Sequence, residues 1–183
     1  MSQLKEIVAV GSIAFDSIQT PKGSRDKILG GSSTYFGVAA SLFSKVHLIG
    51  IVGDDFSNKE WKLFEQYDID TSSVKIESGD TFSWGGSYNA DYSSRDTKFT
   101  NLGVFENFKP VINRNYNKPI LYLGNIQPQL QFDIINQVEN PSLIAADSMN
   151  LWIDLFPEKV KELISHVDMF MLNDEEAIQL SGT

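Results

Sequence analysis

Short apolar runs that end at glycine, asparagine or aspartate recur along the chain, at residues 7–10, 46–52, 120–123, 143–146 and 169–172. These runs lack the alternation of apolar and polar residues that marks a half-exposed strand. Continuous apolar runs of this length are typical of strands that are covered on both faces, as in a parallel sheet.

Helical patterns lie between the apolar runs. Residues 33–43 are rich in alanine and small side chains. Two further stretches show apolar stripes at helical spacing: Leu130, Ile134, Ile135 and Val138, and then Val160, Leu163, Ile164 and Val167 behind Pro157 and Glu158. Because strands and helices alternate, the pattern predicts an α/β fold, with a mostly parallel sheet sandwiched by helices.

Residues 81–104 do not follow the alternation of strands and helices, because this stretch is polar and contains aromatic residues and glycines. Thr97, Phe99 and Asn101 alternate with a period of two, and residues 89–96 form a cluster typical of a turn. The stretch predicts an antiparallel hairpin that projects from the α/β body. Together with residues 15–20 and 27–29, it is expected to form a small accessory sheet.

Composition and charge narrow the class of protein. The 183 residues are enough for one domain, and 42% hydrophobic residues are enough for a core. The net charge is -9, from 24 acidic and 15 scattered basic residues, which argues against a nucleic-acid partner or an anionic membrane. There is no cysteine, which excludes disulfides and thiolate sites. The first apolar run is too short for a signal peptide or membrane span, so we expect a soluble cytoplasmic protein.

Asp16 and a glycine pair are the first candidate site residues. Asp16 follows the first predicted strand, where ligands of open α/β sheets bind, although a solvated strand residue is an equal interpretation. Gly30 and Gly31 permit close approach of a ligand to the backbone, although a plain turn explains such a pair more often. Ser32 or Ser33 is expected to cap the following helix.

Polar residues also follow the later strands. Asn125, Asp147 and Asn150 stand at strand ends, which meet at one edge of a parallel sheet. Asp54 and Asp55 suit either a cation or the cap of a helix that begins near residue 58, and the cap is the favoured interpretation. His47 and His166 have no ligand-spaced partner, so both are interpreted as structural residues.

The stretch "LNDEEA", residues 172–177, raises two alternatives. Asn173 is a good N-cap, and Glu176 lies at the third helical position, as in a capping box. A cluster of carboxylates also suits a metal bound to phosphate. The residues of this stretch, taken alone, favour a helix cap over a metal site.

Taken in order, several motifs resemble the ribokinase-like (PfkB) carbohydrate kinases: "VAVGSIAFD", "GGSSTYFGVAASLFSKVHLIGIVGDDF", the polar hairpin, "DSMN" and "LNDEEAIQLSG". The resemblance covers essentially the whole chain. It implies an α/β domain over residues 1–183 with a β lid from about residues 15–30 and 81–105. It also implies a magnesium-dependent transferase that moves the γ-phosphoryl group of ATP to a hydroxyl of a sugar or sugar-like substrate. A homodimer formed through the lid is expected.

The resemblance also implies roles for particular residues. Asp16, Gly30, Gly31, Tyr35 and Asn125 are expected to bind the substrate. The residues expected to bind ATP are Asp147, Asn173 and Glu176, and Glu176 is expected to hold Mg²⁺ through water. In ribokinases the glycine pair is followed by Lys-Gly-Ala-Asn, whereas here Ser32, Ser33, Thr34 and Tyr35 follow it. Tyr35 thus replaces the asparagine that contacts ribose, which argues against ribose itself.

The family's GAGD motif, which supplies the anion hole and the catalytic base, does not occur in the sequence. We therefore expect the base beyond Thr183, assign no catalytic residue, and expect the chain alone to be inactive as one part of a longer kinase. Two alternatives stay open. One is a nucleoside kinase of the same family, and the other is a non-catalytic sugar-binding or interaction protein. The aromatic residues Phe82, Trp84 and Tyr88 are candidates to shape the substrate pocket.

Overall fold

The fold was obtained as a computed structural model, which describes residues 5–182. Its strands, in chain order, are β1 (Ile7–Val10), β2 (Ala14–Thr20), β3 (Gly23–Gly30), β4 (Val46–Val52), β5 (Asp70–Ile76), β6 (Ser83–Tyr88), β7 (Arg95–Asn101), β8 (Ile120–Leu123), β9 (Leu143–Asp147) and β10 (Met169–Met171). Its helices are α1 (Ser32–Ser41), α2 (Asn58–Gln66), α3 (Pro128–Ile135), α4 (Asn150–Leu155), α5 (Pro157–Ile164) and α6 (Asp174–Ser181), with a 3₁₀ turn at Gly103–Asn107. Within these residues, no helix combines the length and apolar character needed to span a bilayer.

Six strands form the central sheet in the order β10-β9-β8-β1-β4-β5, and every pairing between them is parallel. All four residues of β1 and all seven residues of β4 are buried. This burial explains why both strands read as unbroken apolar runs in the sequence. The predicted fold class, a mostly parallel sheet between layers of helices, is confirmed.

The two faces of the sheet carry separate apolar clusters. On one face, Val8 and Val10 pack with residues of α3, α5 and the 3₁₀ turn. On the other face, Ile7 and Ala9 pack with residues of α1 and α2. Successive strand residues point to opposite faces, so β1 contributes to both clusters in turn. The core is therefore two apolar layers divided by the sheet.

A second sheet contains four strands in the order β3-β2-β6-β7. The predicted hairpin is present as the antiparallel pair β6 and β7, and β2 pairs with β6 in parallel and with β3 in antiparallel orientation. In the β2–β6 pairing, Asp16 lies opposite Trp84. The roles of this sheet as a lid and as a dimer interface stay predictions.

Two of the predicted helix caps are wrong. Helix α2 is capped by Ser57, which forms a capping box with Glu60, and not by Asp54 or Asp55. Asp54 instead accepts hydrogen bonds from the Ser78 hydroxyl and a backbone amide, and thereby fixes the loop after β5. The Ser57 hydroxyl accepts from the amide of Lys59, and the Glu60 carboxylate accepts from the amide of Ser57, so the pair satisfies two free amides.

The cap of α1 also differs from the prediction. The N-cap position is Gly31, with no side-chain cap, and Ser32 and Ser33 are the first residues of the helix. Ser32 is engaged with Ser12 on the neighbouring loop, so its hydroxyl is directed away from the helix amides.

Candidate functional site: a cavity between the two sheets

A cavity of about 490 Å³ lies between the carboxyl ends of the central strands and the second sheet. Its lining includes six of the eight residues that the sequence analysis singled out: Asp16, Gly31, Tyr35, Asn125, Asp147 and Glu176. They come from β2, from the start of α1, from the ends of β8 and β9, and from α6. The two others, Gly30 and Asn173, stand directly behind Asp16 and Glu176.

Asp16 is half-buried on β2, and Gly30 provides the space for its carboxylate. A Cβ atom at Gly30 would lie 2.0 Å from Asp16 Oδ2, closer than any real contact. Removal of the carboxylate from water raises the pKa of Asp16 to about 6, because burial disfavours the charged form. Above that pH the side chain is an acceptor-only group that faces the cavity, which suits hydroxyl groups of a ligand.

The turn before α1 is fixed by glycine geometry and by a pair of hydroxyls. Gly31 has a φ of 93°, and a Cβ atom there would lie 2.4 Å from the carbonyl oxygen of Ser12. The backbone amide of Ser32 donates to Ser12 Oγ at 3.0 Å, and the two hydroxyls are 3.2 Å apart. This link joins the β1–β2 loop to the N-terminus of α1, and both serines line the cavity.

Tyr35 projects from the first turns of α1, and 59% of its surface is exposed. The pKa of its hydroxyl is raised, mainly by desolvation and then by the charges of Asp16 and Tyr88. Since both neighbours also line the cavity, the phenol ring of Tyr35 lies between β2 and the far end of β6.

Asn125 is held in place by a tryptophan of the short helix α4. Trp152 donates its indole N–H to Asn125 Oδ1 over 2.9 Å. Helix α4 is itself tied to α6, because the side-chain amide of Asn150 donates to Gln179 over 2.8 Å. These bonds connect the ends of β8 and β9 to the helix that carries Glu176.

Asp147, at the end of β9, is the most unusual ionisable group of the cavity. Tyr122 donates its hydroxyl to Asp147 Oδ2 over 2.7 Å, while Oδ1 is buried and has no hydrogen-bond partner within residues 5–182. Desolvation, with a smaller contribution from the charge of Glu176, raises the pKa of Asp147 to about 7. The same burial raises the pKa of Tyr122, which keeps the phenol protonated as a donor.

A buried glutamine holds the strand ends together behind Asp147. The side-chain amide of Gln131, on α3, donates to the carbonyl oxygens of Leu123, Gly124 and Asp147 at distances of 3.0 to 3.1 Å. Because these carbonyls belong to the ends of β8 and β9, Gln131 sets the spacing of the two strands at the cavity floor.

The capping box predicted at residues 173–176 is present. Asn173 Oδ1 accepts from the amide of Glu176 over 2.8 Å, and the amide of Asn173 donates to Glu176 Oε2 over 3.1 Å. Glu176 is buried and lines the cavity, whereas Asn173 is exposed and acts through this cap. Capping and a place in the cavity are thus combined in one motif.

Residues 5–182 contain no cluster of three or more histidine, cysteine or acidic side chains that suits a metal ion. Asp147 and Glu176 are a pair of carboxylates in one cavity, and the first has a free buried oxygen. Mg²⁺ is commonly bound by one or two carboxylates together with water and substrate phosphates. The two side chains therefore fit Mg²⁺ in that limited form.

Sequence reasoning missed several polar residues that help to form this site, among them Ser12, Arg95, Thr97 and Tyr122. Arg95 and Thr97 belong to a strand whose seven residues are all exposed, so no apolar pattern marked their inner face. Tyr122 was hidden within an apolar run. Both histidines lie outside the cavity lining. His47 is buried and bonded to Asp70 and Glu6 through its two ring nitrogens.

Known proteins of similar sequence and structure are kinases. No protein-family model matches the chain. The cytidine kinase of Thermococcus kodakarensis is 24% identical over 97% of this chain and 64% of that protein. The crystal structure of a nucleoside kinase from Methanocaldococcus jannaschii, an archaeal member of the ribokinase family, superposes with a TM-score of 0.78 at 20% identity, covering 100% of this chain and 65% of that one.

The fold is that of the ribokinase family. A ribokinase from Cryptococcus neoformans, solved in complex with ADP, gives a TM-score of 0.79 at 17% identity, over 98% of this chain and 60% of that chain. The structural neighbours are ribokinase/PfkB kinases, as the sequence resemblance predicted. The chain spans about two thirds of the length of these ribokinase-fold proteins.

Proposed function

We propose that the chain provides the acceptor-binding side of an ATP-dependent kinase that phosphorylates a hydroxyl of a sugar or sugar-like molecule. The observation that carries the proposal is the carboxylate of Asp16 inside a cavity of about 490 Å³, placed between the strand ends and the second sheet of a ribokinase fold. A cavity of this size suits a small molecule.

The chemistry of the lining supports a hydroxyl-bearing acceptor. Asp16 is ionised above a pKa of about 6 and then accepts hydrogen bonds only. Asn125, held by Trp152, adds an amide group to the same cavity. Gly31 also lines the cavity, and its φ of 93° forms the tight turn that brings the start of α1 to it.

Phosphoryl transfer depends mainly on positioning and on neutralisation of charge. We propose that Asp147 and Glu176 hold the Mg²⁺ of the nucleotide, Glu176 through water, while Asn173 keeps Glu176 in place through the capping box. Bound Mg²⁺ would neutralise phosphate charge and would favour the ionised form of Asp147. We assign no catalytic base among residues 5–182.

A nucleoside acceptor is the second candidate, because aromatic rings surround the cavity. Tyr35, Phe82, Trp84 and Tyr88 all line it. Stacking of a base on an aromatic side chain is worth about 1–3 kcal/mol, and a simple sugar has no flat aromatic ring that can use it. The likeness to a cytidine kinase and a nucleoside kinase points in the same direction.

The test is isothermal titration calorimetry of the 183-residue chain with a panel of free sugars and nucleosides. We expect saturable binding of at least one class at pH 7.5. Substitution Asp16→Asn keeps the shape but removes the charge, and we expect binding to weaken about tenfold to a hundredfold, as for hydrogen bonds to a charged group.

The matched control is Asp26→Asn, since Asp26 is exposed on β3 and does not line the cavity. Its affinity should equal that of the unsubstituted chain. The proposal fails if no sugar or nucleoside binds, or if the two variants have the same affinity.

A further inference from the structure

Arg95 is the one basic side chain that lines the cavity within residues 5–182, and no part of the proposed reaction uses it. It lies at the start of β7, directly opposite Tyr88 on β6. Cross-strand neighbours in an antiparallel pair present their side chains on the same face, about 5 Å apart. The guanidinium and the phenol ring of Tyr88 therefore belong to one patch of the second sheet.

The guanidinium of Arg95 has no hydrogen-bond or ion-pair partner in the described part of the chain. Arg114 differs, because it lies 3.4 Å from both Glu6 and Asp70 and stacks over Tyr116. A guanidinium presents donors in a rigid planar fork, which matches a pair of adjacent acceptors on a planar group. The N–H donors of the Arg95 guanidinium are therefore free to bind a ligand in the cavity.

The aromatic surface beside Arg95 is fixed in orientation. The ring of Trp84 lies over the backbone of Gly86, where a Cβ atom would come within 2.3 Å of it. Its indole N–H donates to Thr97 Oγ1 over 3.3 Å, so β7 holds the ring from the side. Trp84 thus presents a held aromatic face, and Tyr88, four residues farther along β6, adds a second aromatic side chain opposite Arg95.

The cavity therefore has two chemically different ends. Asp16 lies level with Trp84, and Arg95 lies level with Tyr88, four residues farther along β6. At about 3.3 Å per residue, this places the two levels about 13 Å apart along the strand. One end carries a carboxylate for hydroxyls, and the other carries an unpaired guanidinium beside aromatic rings.

We propose that Arg95 is a specificity-determining residue that binds two adjacent acceptors on the edge of a planar base, such as N3 and O2 of cytosine or N7 and O6 of guanine. The inference rests on the proposed function, because Asp16 would hold the hydroxyl-bearing part of the same molecule. Cytosine presents its N3 and O2 atoms as adjacent acceptors, whereas uracil carries a proton on N3 and offers no such pair. An arginine fork is therefore satisfied by cytosine and only half satisfied by uracil.

The test compares cytidine, uridine, ribose and a sugar acid by calorimetry on four proteins: the unsubstituted chain, Arg95→Met, Arg95→Lys and Arg25→Met. Arg95→Met keeps much of the length and removes the fork, and Arg95→Lys keeps the charge without the fork. Arg25→Met is the control, because Arg25 is also exposed on the second sheet but lies outside this cavity. The midpoint of thermal unfolding checks that each variant is folded.

We expect the unsubstituted chain to bind cytidine more tightly than uridine. Arg95→Met should weaken cytidine binding about tenfold to a hundredfold and abolish the preference over uridine, without changing the result for ribose, which has no base. Arg95→Lys should restore only part of the loss, because a single ammonium cannot make the paired contact. Arg25→Met should behave as the unsubstituted chain.

Unchanged cytidine affinity in Arg95→Met would overturn the inference. So would a dependence on Arg95 that appears for the sugar acid and not for cytidine, since Arg95 would then bind a carboxylate and not a base. Either result leaves the proposed function intact if binding still depends on Asp16. Absence of binding by every sugar and nucleoside would instead overturn the proposed function, and this inference with it.

Discussion

The carboxylate of Asp16 fills the space that a side chain at position 30 would need, and its raised pKa follows from that position. Gly30 has no side chain, so Asp16 folds back against the backbone and loses part of its contact with water. The pKa of about 6 leaves the group charged at neutral pH but more easily protonated than an exposed aspartate. A residue with this property is suited to bind hydroxyls without a permanent ion partner.

Asp147 makes the stability of the folded chain depend on pH. In the unfolded chain its carboxyl group loses the proton near pH 4, whereas in the folded chain the pKa is about 7. Between these values the folded state binds more protons than the unfolded state. The contribution of Asp147 to the free energy of unfolding is therefore greatest below pH 4 and falls as the pH rises to about 7.

Substitution Asp147→Asn should remove this fall, which is on the order of 4 kcal/mol because the pKa rises from 3.8 to about 7 on folding. The measurement is urea unfolding of both proteins at a series of pH values from 4 to 8. Substitution Tyr122→Phe should move the fall to higher pH, because it removes the hydrogen bond that lowers the pKa of Asp147. Equal pH dependence in the unsubstituted chain and Asp147→Asn would show that folding does not raise the pKa of Asp147.

At the scale of elements, two helices begin with the same device in different surroundings. Ser57 and Glu60 form a capping box at the start of α2, and Asn173 and Glu176 form one at the start of α6. Glu60 lies outside the cavity between the sheets, whereas Glu176 lines it. A comparison of the two capping boxes therefore separates the effect of a cap on stability from any effect on binding in the cavity.

Removal of either cap, by Ser57→Ala or Asn173→Ala, should lower the free energy of unfolding by about 1 kcal/mol. The physical reason is the same in both cases, since the cap satisfies a backbone amide that the helix leaves unpaired. Chemical denaturation measures the loss, and Asn173→Ser, which retains a capping oxygen, should restore most of it. If Asn173→Ala is as stable as the unsubstituted chain, the cap at α6 does not contribute to folding.

The elements that could be predicted from the sequence are those that a short stretch of neighbouring residues determines. The buried strands β1 and β4 are unbroken apolar runs, and the cap at Asn173 is a four-residue motif. Strand β5 escaped prediction because "DTSSVKI" is a largely polar edge strand that is only partly buried. The cap of α1 was misassigned because Ser32 bonds to Ser12 on another loop, a contact that only the fold creates. The cap of α2 was misassigned because Ser57, and not Asp54 or Asp55, lies three residues before Glu60.

For the whole molecule, the fold brings distant polar residues to one edge of the sheet. Parallel strands end at a common edge, so Asp147 and Asn125 meet there, and the second sheet adds Asp16 from across the cavity. These three residues could be predicted from the sequence, because they follow strands and because the motifs resemble those of a known family. Sequence reasoning did not reach Tyr122 and Gln131, whose contacts with Asp147 depend on the register and spacing of strands that only the assembled sheet defines.

The chain contains three tryptophans, and two of them can report on whether the cavity between the sheets binds a hydroxyl-bearing small molecule. Trp84 lines the cavity, and Trp152 is bonded to Asn125 at its floor. Trp61 lies on α2, where it packs against Phe56 and Phe64, and serves as an internal control.

The most direct measurement is a titration of the ¹⁵N-labelled chain with cytidine, uridine and free sugars, with the three indole N–H signals followed by NMR. We expect saturable shifts of the Trp84 and Trp152 signals with at least one of these compounds, an unmoved Trp61 signal, and much weaker shifts in Asp16→Asn. Shifts confined to Trp61, or no shift with any nucleoside or sugar, would contradict the proposed function.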